Sequence, residues 1–169
     1  DLANSFNHHF GEAFVLPEAR LLSDAAKVPG TDGEKMSKSY GNTIGIFEDP
    51  KAVRKKIMRI ATDSRPLEQP KEPQGDALFQ LFQLFGTPTE IEELANLYRA
   101  GGFGYGQVKK MLADAADRFF AEAREKRQEL EARPDTVADI LRDGAQRARQ
   151  RAADVLQRVE QACGVRAPK

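Results

Sequence analysis

The chain has 169 residues, enough for one ordinary domain or two small ones, and its 40% hydrophobic content suffices for a core. Its 26 basic and 26 acidic side chains cancel, so no global field draws it to nucleic acid or membrane, and an anionic partner has to be met by local clusters. Cys163 is the single cysteine and excludes an intramolecular disulfide framework; with no signal peptide and no long apolar run, the expected setting is the cytoplasm, away from membranes.

The opening "DLANSFNHHFGEAF" lacks a starting methionine and reads as an amphipathic helix, with Leu2 and Phe6 at i and i+4 and Gly11 as terminator. A piece of a longer protein is expected. "EAFVLPEA" (12–19) is a short apolar run closed by Pro17, and it predicts a buried strand of the parallel type over 12–16. Residues 21–42 mix Gly, Ser, Asp and Pro without periodicity, predicting a mobile loop with at most one helical turn.

Asp49-Pro50 then offers an N-cap with Pro at the first helical position, and Val53, Ile57 and Ile60 recur at helical spacing. The opposite face carries Lys51, Lys55 and Arg59, flanked by Arg54 and Lys56. Residues 62–74 hold Pro66, Pro70 and Pro73 and read as an extended connection. Asp76 caps "ALFQLFQLF", apolar nearly all round and closed by Gly86. Thr87, Pro88 and Glu90 form a capping box for a helix whose stripe is Ile91, Leu94, Ala95 and Tyr98, stopped by Gly101-Gly102. A helix over 106–130 is expected to bury Val108, Met111, Leu112, Ala115 and Phe119. The last helix starts at Pro134-Asp135-Thr136, carries Arg142, Arg147, Arg149, Arg151 and Arg158, and ends at Gly164. The back two-thirds is therefore expected to be all-helical.

Within the loop, "GTDGEKMSKSYGNTI" (30–44) places Lys35 and Lys38 between glycines. A lysine pair in such a loop is by itself most often a solvated charge. A Walker phosphate loop fails on spacing, since Lys35 is neither preceded by Gly nor followed by Ser or Thr. The complete string Lys35-Met36-Ser37-Lys38-Ser39, however, is similar without a mismatch to the signature loop of class I aminoacyl-tRNA synthetases. Together with "YGNTIGIFEDPKAVRKKIMRIATDSRP", "FGEAFVLPEA" and "GGFGYGQVKKMLADA", it makes almost the whole chain resemble the tryptophanyl-tRNA synthetases. Tyrosyl enzymes are the nearest relatives in fold.

The resemblance implies a mainly α chain: the tail of a class I Rossmann-like α/β nucleotide-binding domain (1–48), then an all-helical anticodon-binding domain (49–169). It implies ATP-dependent formation of Trp-AMP and transfer to tRNA(Trp), with ATP, Mg²⁺, tryptophan and tRNA as partners and a homodimeric parent. Lys35 and Lys38 become catalytic, and Val28, Lys35, Met36, Ser37, Lys38 and Ser39 contact ATP. The chemistry fits, because attack of a carboxylate on the α-phosphate expels pyrophosphate and two ammonium groups meet the growing negative charge. On a closing loop their attraction is felt most in the transition state, with Gly33 and Gly41 as hinges and Met36 as an apolar anchor.

Other readings stay open. Lys51, Lys55 and Arg59 form either a tRNA phosphate contact or a solvated face. Phe103 and Tyr105 are better explained by packing of a helix corner than by RNA stacking, and Cys163 has no partner at metal spacing. His8-His9 do not make the family's first ATP motif, so a second half of an enzyme is expected, inactive alone. The alternatives are another class I synthetase, such as a tyrosyl enzyme, or a stand-alone helical RNA-binding module.

Overall fold

The structure, a computed structural model, describes residues 1–21 and 27–165; residues 22–26 of the expected loop and the last four residues lie outside them. Its elements are α1 (Leu2–Phe10), α2 (Pro50–Met58), α3 (Ala77–Gln83), α4 (Pro88–Ala100), α5 (Tyr105–Glu131) and α6 (Pro134–Ala162), with 3-10 turns at Lys38–Tyr40 and Pro73–Gly75. No β-strand occurs among the described residues. The chain is mainly α, and the expected α/β tail is not visible as a sheet.

Helix starts follow the local chemistry. Asp49 accepts from the N–H groups of Lys51 and Ala52, with Pro50 occupying the position that needs no donor. Asp76 does the same for Leu78 and Phe79, and Thr87 with Glu90 closes a reciprocal capping box.

Two compact units divide the chain within α5, one joining Asp1–Arg20 to the chain from Arg127 onward, the other being Leu21–Lys126. The second holds the main core. Val53 and Ile57 of α2, with Ile60 just beyond it, meet Leu78, Phe79, Leu81 and Phe82 of α3, Leu94 and Tyr98 of α4, and Val108, Leu112 and Ala116 of α5. Full burial of each larger side chain contributes about 1.5–3 kcal/mol, so this set rather than intrinsic propensity holds the seven-residue α3 in place. Tyr98 is fully buried; it stacks on Phe79 and Phe103 at 5.6 and 4.8 Å and donates its hydroxyl to Asp76 at 3.0 Å. Burial and the Asp76 charge push that hydroxyl's pKa up.

Three expectations are corrected here. Residues 12–16 form no strand: Asn7 accepts from the N–H groups of Ala13 and Phe14 and donates to the Phe14 carbonyl, folding this backbone against α1. Phe14 packs edge-on against Phe6, while Val15 stays 92% exposed. Phe119 is 57% exposed instead of buried; Ala113 and Ala116 take the inward face, and Phe119 clusters with Phe85 and Phe120 at ring distances of 5.5 and 5.0 Å. The connection 62–74 is not merely extended. Lys71 within it is buried, giving its ammonium to the carbonyls of Pro66 and Gln69 and lying 4.6 Å from the Phe103 ring. Phe103 is thus a packing residue.

In the other unit, α6 has no buried residue over its 29 positions. Arg142 pairs with Asp139 and Arg147 with Asp143 along its surface, and Arg158 donates to the Ala13 carbonyl.

Candidate functional site

The lysine loop is a folded object with its own hydrogen bonds. Pro29 and Lys35 face each other as an antiparallel bridge. Met36 N–H donates to the Val28 carbonyl at 2.8 Å, Gly30 N–H to Glu34 at 2.6 Å and Gly33 N–H to Gly30 at 3.1 Å. Gly33 closes this turn with φ of 85°. Ser37 is extended, Lys38–Tyr40 make a single 3-10 turn, and Gly41 ends it in the left-handed region.

Asn42 holds the two parts together. It is 2% exposed; its Oδ1 accepts from Ser37 N–H at 2.8 Å, while its Nδ2 donates to Asp32 Oδ1 at 2.8 Å and to the Lys35 carbonyl at 3.1 Å. Its own carbonyl accepts from Thr31 N–H at 3.0 Å. Gly30 is required beside it, because a Cβ there would lie 2.4 Å from the Asn42 side chain. The Asn42 amide holds the Asp32 carboxyl below the usual carboxylate range against the opposing effect of burial, with a lesser contribution from the Glu34 N–H.

The loop is tied to the helical core at its exits. Ala61 N–H donates to the Thr31 carbonyl at 2.9 Å. Lys56 of α2 gives its ammonium to the Thr43 carbonyl at 3.2 Å and to Glu48 at 2.7 Å, and this contact keeps the Glu48 carboxyl below its ordinary value. Arg124 of α5 donates from Nε to the Ile46 carbonyl at 3.2 Å and from Nη1 to Asp117 at 3.2 Å. Among the described residues the lysine loop is therefore tied to the helices at Thr31 and at its exit, and braced internally by Asn42.

The residues singled out in the sequence separate into three groups. Lys35, Lys38 and Ser39 are exposed, and the two lysine side chains have no hydrogen bond or ion pair among the described residues. Ser37 and Ser39 hydroxyls lie 2.8 Å apart. Val28 and Met36 are half-buried and line an apolar cavity beneath the loop. Lys51 and Lys55 of α2 and Arg59 at its C-cap are exposed and unpaired among the described residues, whereas Arg54 pairs with Asp114 and Lys56 with Glu48. Sequence reasoning missed Asn42 and Arg124. Thr-Asp-Gly at 31–33 announces an Asx turn, since Asp32 accepts from Glu34 N–H at 3.0 Å, but nothing local marks Asn42 as the residue that closes it. The described residues contain no cluster of His, Cys, Asp and Glu able to hold a metal ion, and no helix long and apolar enough to cross a membrane.

The family model described as tRNA synthetases class I (W and Y) matches residues 1–121. Among curated relatives, a tryptophan–tRNA ligase of Rhodopirellula baltica is 60% identical over 166 residues, covering 98% of this chain and 52% of that protein. The tryptophan–tRNA ligase of Fusobacterium nucleatum is 43% identical, again over 98% of this chain and 51% of its own length. A crystal structure of tryptophanyl-tRNA synthetase from Campylobacter jejuni, complexed with ADP and tryptophan, superposes with a TM-score of 0.76 at 42% identity, covering 96% of this chain and 51% of that one. The chain thus spans about half the length of the relatives it matches.

Proposed function

We propose, because this chain belongs to the class I tRNA synthetases (W and Y), that it supplies the lysine loop and the tRNA-binding helices of a tryptophan–tRNA ligase. The parent enzyme would convert tryptophan and ATP to Trp-AMP and pyrophosphate, then transfer tryptophan to tRNA(Trp). The carrying observation is the braced loop that leaves two unpaired ammonium groups in solvent, in a chain 60% identical to a tryptophan–tRNA ligase.

In this reading Lys38 and Lys35 meet the charge that grows on the leaving pyrophosphate. An ammonium engaged in no ion pair needs no partner to be broken before it turns to phosphate, so its attraction is available in the transition state. Ser37 and Ser39 offer small side chains and hydroxyls beside phosphate oxygens. Met36 anchors the loop through the apolar side, and Val28 presents backbone to adenine; its carbonyl already accepts from Met36. Mg²⁺ accompanies ATP, held by the triphosphate oxygens, and the described residues add no carboxylate cluster to it.

Residues 1–48 belong in this proposal to the catalytic α/β domain and 49–169 to the helical domain that reads tRNA, with Lys51, Lys55 and Arg59 toward phosphates. Homodimeric assembly and a cytoplasmic place follow from the same family resemblance. The test is ATP–pyrophosphate exchange by the full-length protein, with tryptophan and tyrosine compared. Exchange that depends on tryptophan is expected. Exchange with tyrosine instead would assign a different class I enzyme, and tRNA binding without exchange would leave a helical RNA-binding module.

A further inference from the structure

Asn42 serves the lysine string from outside it. Its Nδ2 donates to the carbonyl of Lys35, the first lysine, and its Oδ1 accepts from Ser37 N–H, one residue before the second. The same Nδ2 reaches Asp32 in the turn closed by Gly30 and Glu34, so one amide joins the turn 30–34 to the string 35–39. Gly33 and Gly41, the expected hinges, lie inside this brace, and rotation about either would break one of its bonds.

The brace needs one acceptor and two donated bonds from a single short side chain, a set that no carboxylate or hydroxyl supplies. It also needs room, since Asn42 is 2% exposed and a Cβ at Gly30 would collide with it. Asp32 completes the pair, its Oδ1 accepting from both Asn42 and the Glu34 N–H. Meanwhile the ammonium groups of Lys35 and Lys38 have no hydrogen bond or ion pair among the described residues. The backbone is fixed where the charges are left free, the arrangement that preorganises a charge for a transition state.

We propose that Asn42 is a positioning residue for tryptophan activation: through the Lys35 carbonyl and the Ser37 N–H it aims Lys35 and Lys38 at the departing pyrophosphate. The proposal rests on the ligase reading and deepens it. Asn42 acts through the lysines and touches no reacting atom.

The test is ATP–pyrophosphate exchange by the full-length protein, each variant being melted beforehand and assayed well below its midpoint. Asn42→Asp keeps the size and the acceptor for Ser37 but removes both donated bonds and sets a carboxylate against Asp32. It should lower kcat by about 10- to 100-fold, with the KM for tryptophan within about threefold, because a misplacement near 1 Å is enough to cause such a loss. Asn42→Ser, which adds no charge, is the second variant and should show the same split. Adding Asp32→Asn to Asn42→Asp returns a donor to that pair and should recover about tenfold in kcat. In a Lys38→Ala background Asn42→Asp should lower kcat by a smaller factor, at most about fivefold, since one ammonium that it positions is gone. Unchanged kcat in a folded Asn42 variant, no recovery on adding Asp32→Asn, or the same factor in both backgrounds would each overturn the positioning role alone. Absence of tryptophan-dependent exchange from the unaltered protein would overturn the ligase reading, and the proposal with it.

Discussion

Oδ1 of Asn42 accepts the backbone N–H of Ser37 at 2.8 Å, so a residue after the lysine string fixes the backbone in the middle of it. The same side chain reaches Asp32 and the Lys35 carbonyl with its other end. One buried amide thus sets the shape on which both lysines are displayed.

Asn42→Ala should expose that dependence. It strands the Ser37 donor and the Lys35 acceptor in a site too closed for easy solvation, a loss of about 1–3 kcal/mol per group left unsatisfied. Urea melts should show the destabilisation, and amide exchange at Ser37 should accelerate well beyond that of Leu112 in the core. Equal acceleration at both positions would mean the substitution acts on global stability and that Asn42 has no special hold on the loop.

Lys35→Ala and Lys38→Ala should separate catalysis from folding. Both side chains are exposed and unpaired among the described residues, so the melting midpoint should move by no more than about 0.5 kcal/mol in equivalent stability. In the full-length protein, kcat for tryptophan activation should drop by about 10²- to 10³-fold with tryptophan affinity nearly unchanged. Normal kcat with weakened tryptophan binding would remove the pyrophosphate role.

Reversing Lys51, Lys55 and Arg59 to Glu is expected to leave ATP–pyrophosphate exchange almost intact. If these side chains meet phosphates, aminoacylation weakens and the salt dependence of tRNA binding flattens. Arg54→Glu is the contrast, since it breaks a pair with Asp114 and places two carboxylates together, and it should lower stability. An unchanged salt slope in the triple variant would leave the face merely solvated.

Acid should loosen the loop before it melts the core. The carboxyls of Asp32 and Glu48 are held low by the Asn42 amide and the Lys56 ammonium respectively. A carboxyl with a depressed folded pKa binds fewer protons folded than unfolded. Its contribution is therefore complete above the unfolded value, about 4, and is lost as pH falls through the folded value. Urea midpoints should be flat from about pH 7 to 5.5 and fall below about pH 4. Glu48→Gln should make that acid limb shallower, and an identical limb in the variant would assign the acid sensitivity elsewhere.

Helix starts and stops were legible residue by residue. Asp49-Pro50, Asp76 and Thr87-Pro88-x-Glu90 all cap where the local pattern places them, because capping involves partners two or three residues apart. The strand expected over 12–16 failed for the opposite reason. A strand needs hydrogen bonds from a neighbour that no local pattern contains, and here Asn7 takes those backbone groups instead. The apolar period of α5 indicated an inward face, yet only packing decided that it turns toward Ala113 and Ala116 and leaves Phe119 out.

By itself the sequence determined the helical character of most of the chain, the helix caps and the Lys-Met-Ser-Lys-Ser string with the family it resembles, since each is carried by residues close together along the chain. Only the tertiary structure decided that Asn42 braces the loop and that Lys51, Lys55 and Arg59 stand free among the described residues while Arg54 and Lys56 are paired. The same holds for Lys71, buried against an aromatic ring, and for Arg124, which donates to the Ile46 carbonyl. These depend on contacts such as Arg54–Asp114 and Arg124–Ile46, sixty and seventy-eight residues apart. Their energies come from burial and from the geometry of groups meeting in space, which spacing along the chain does not encode.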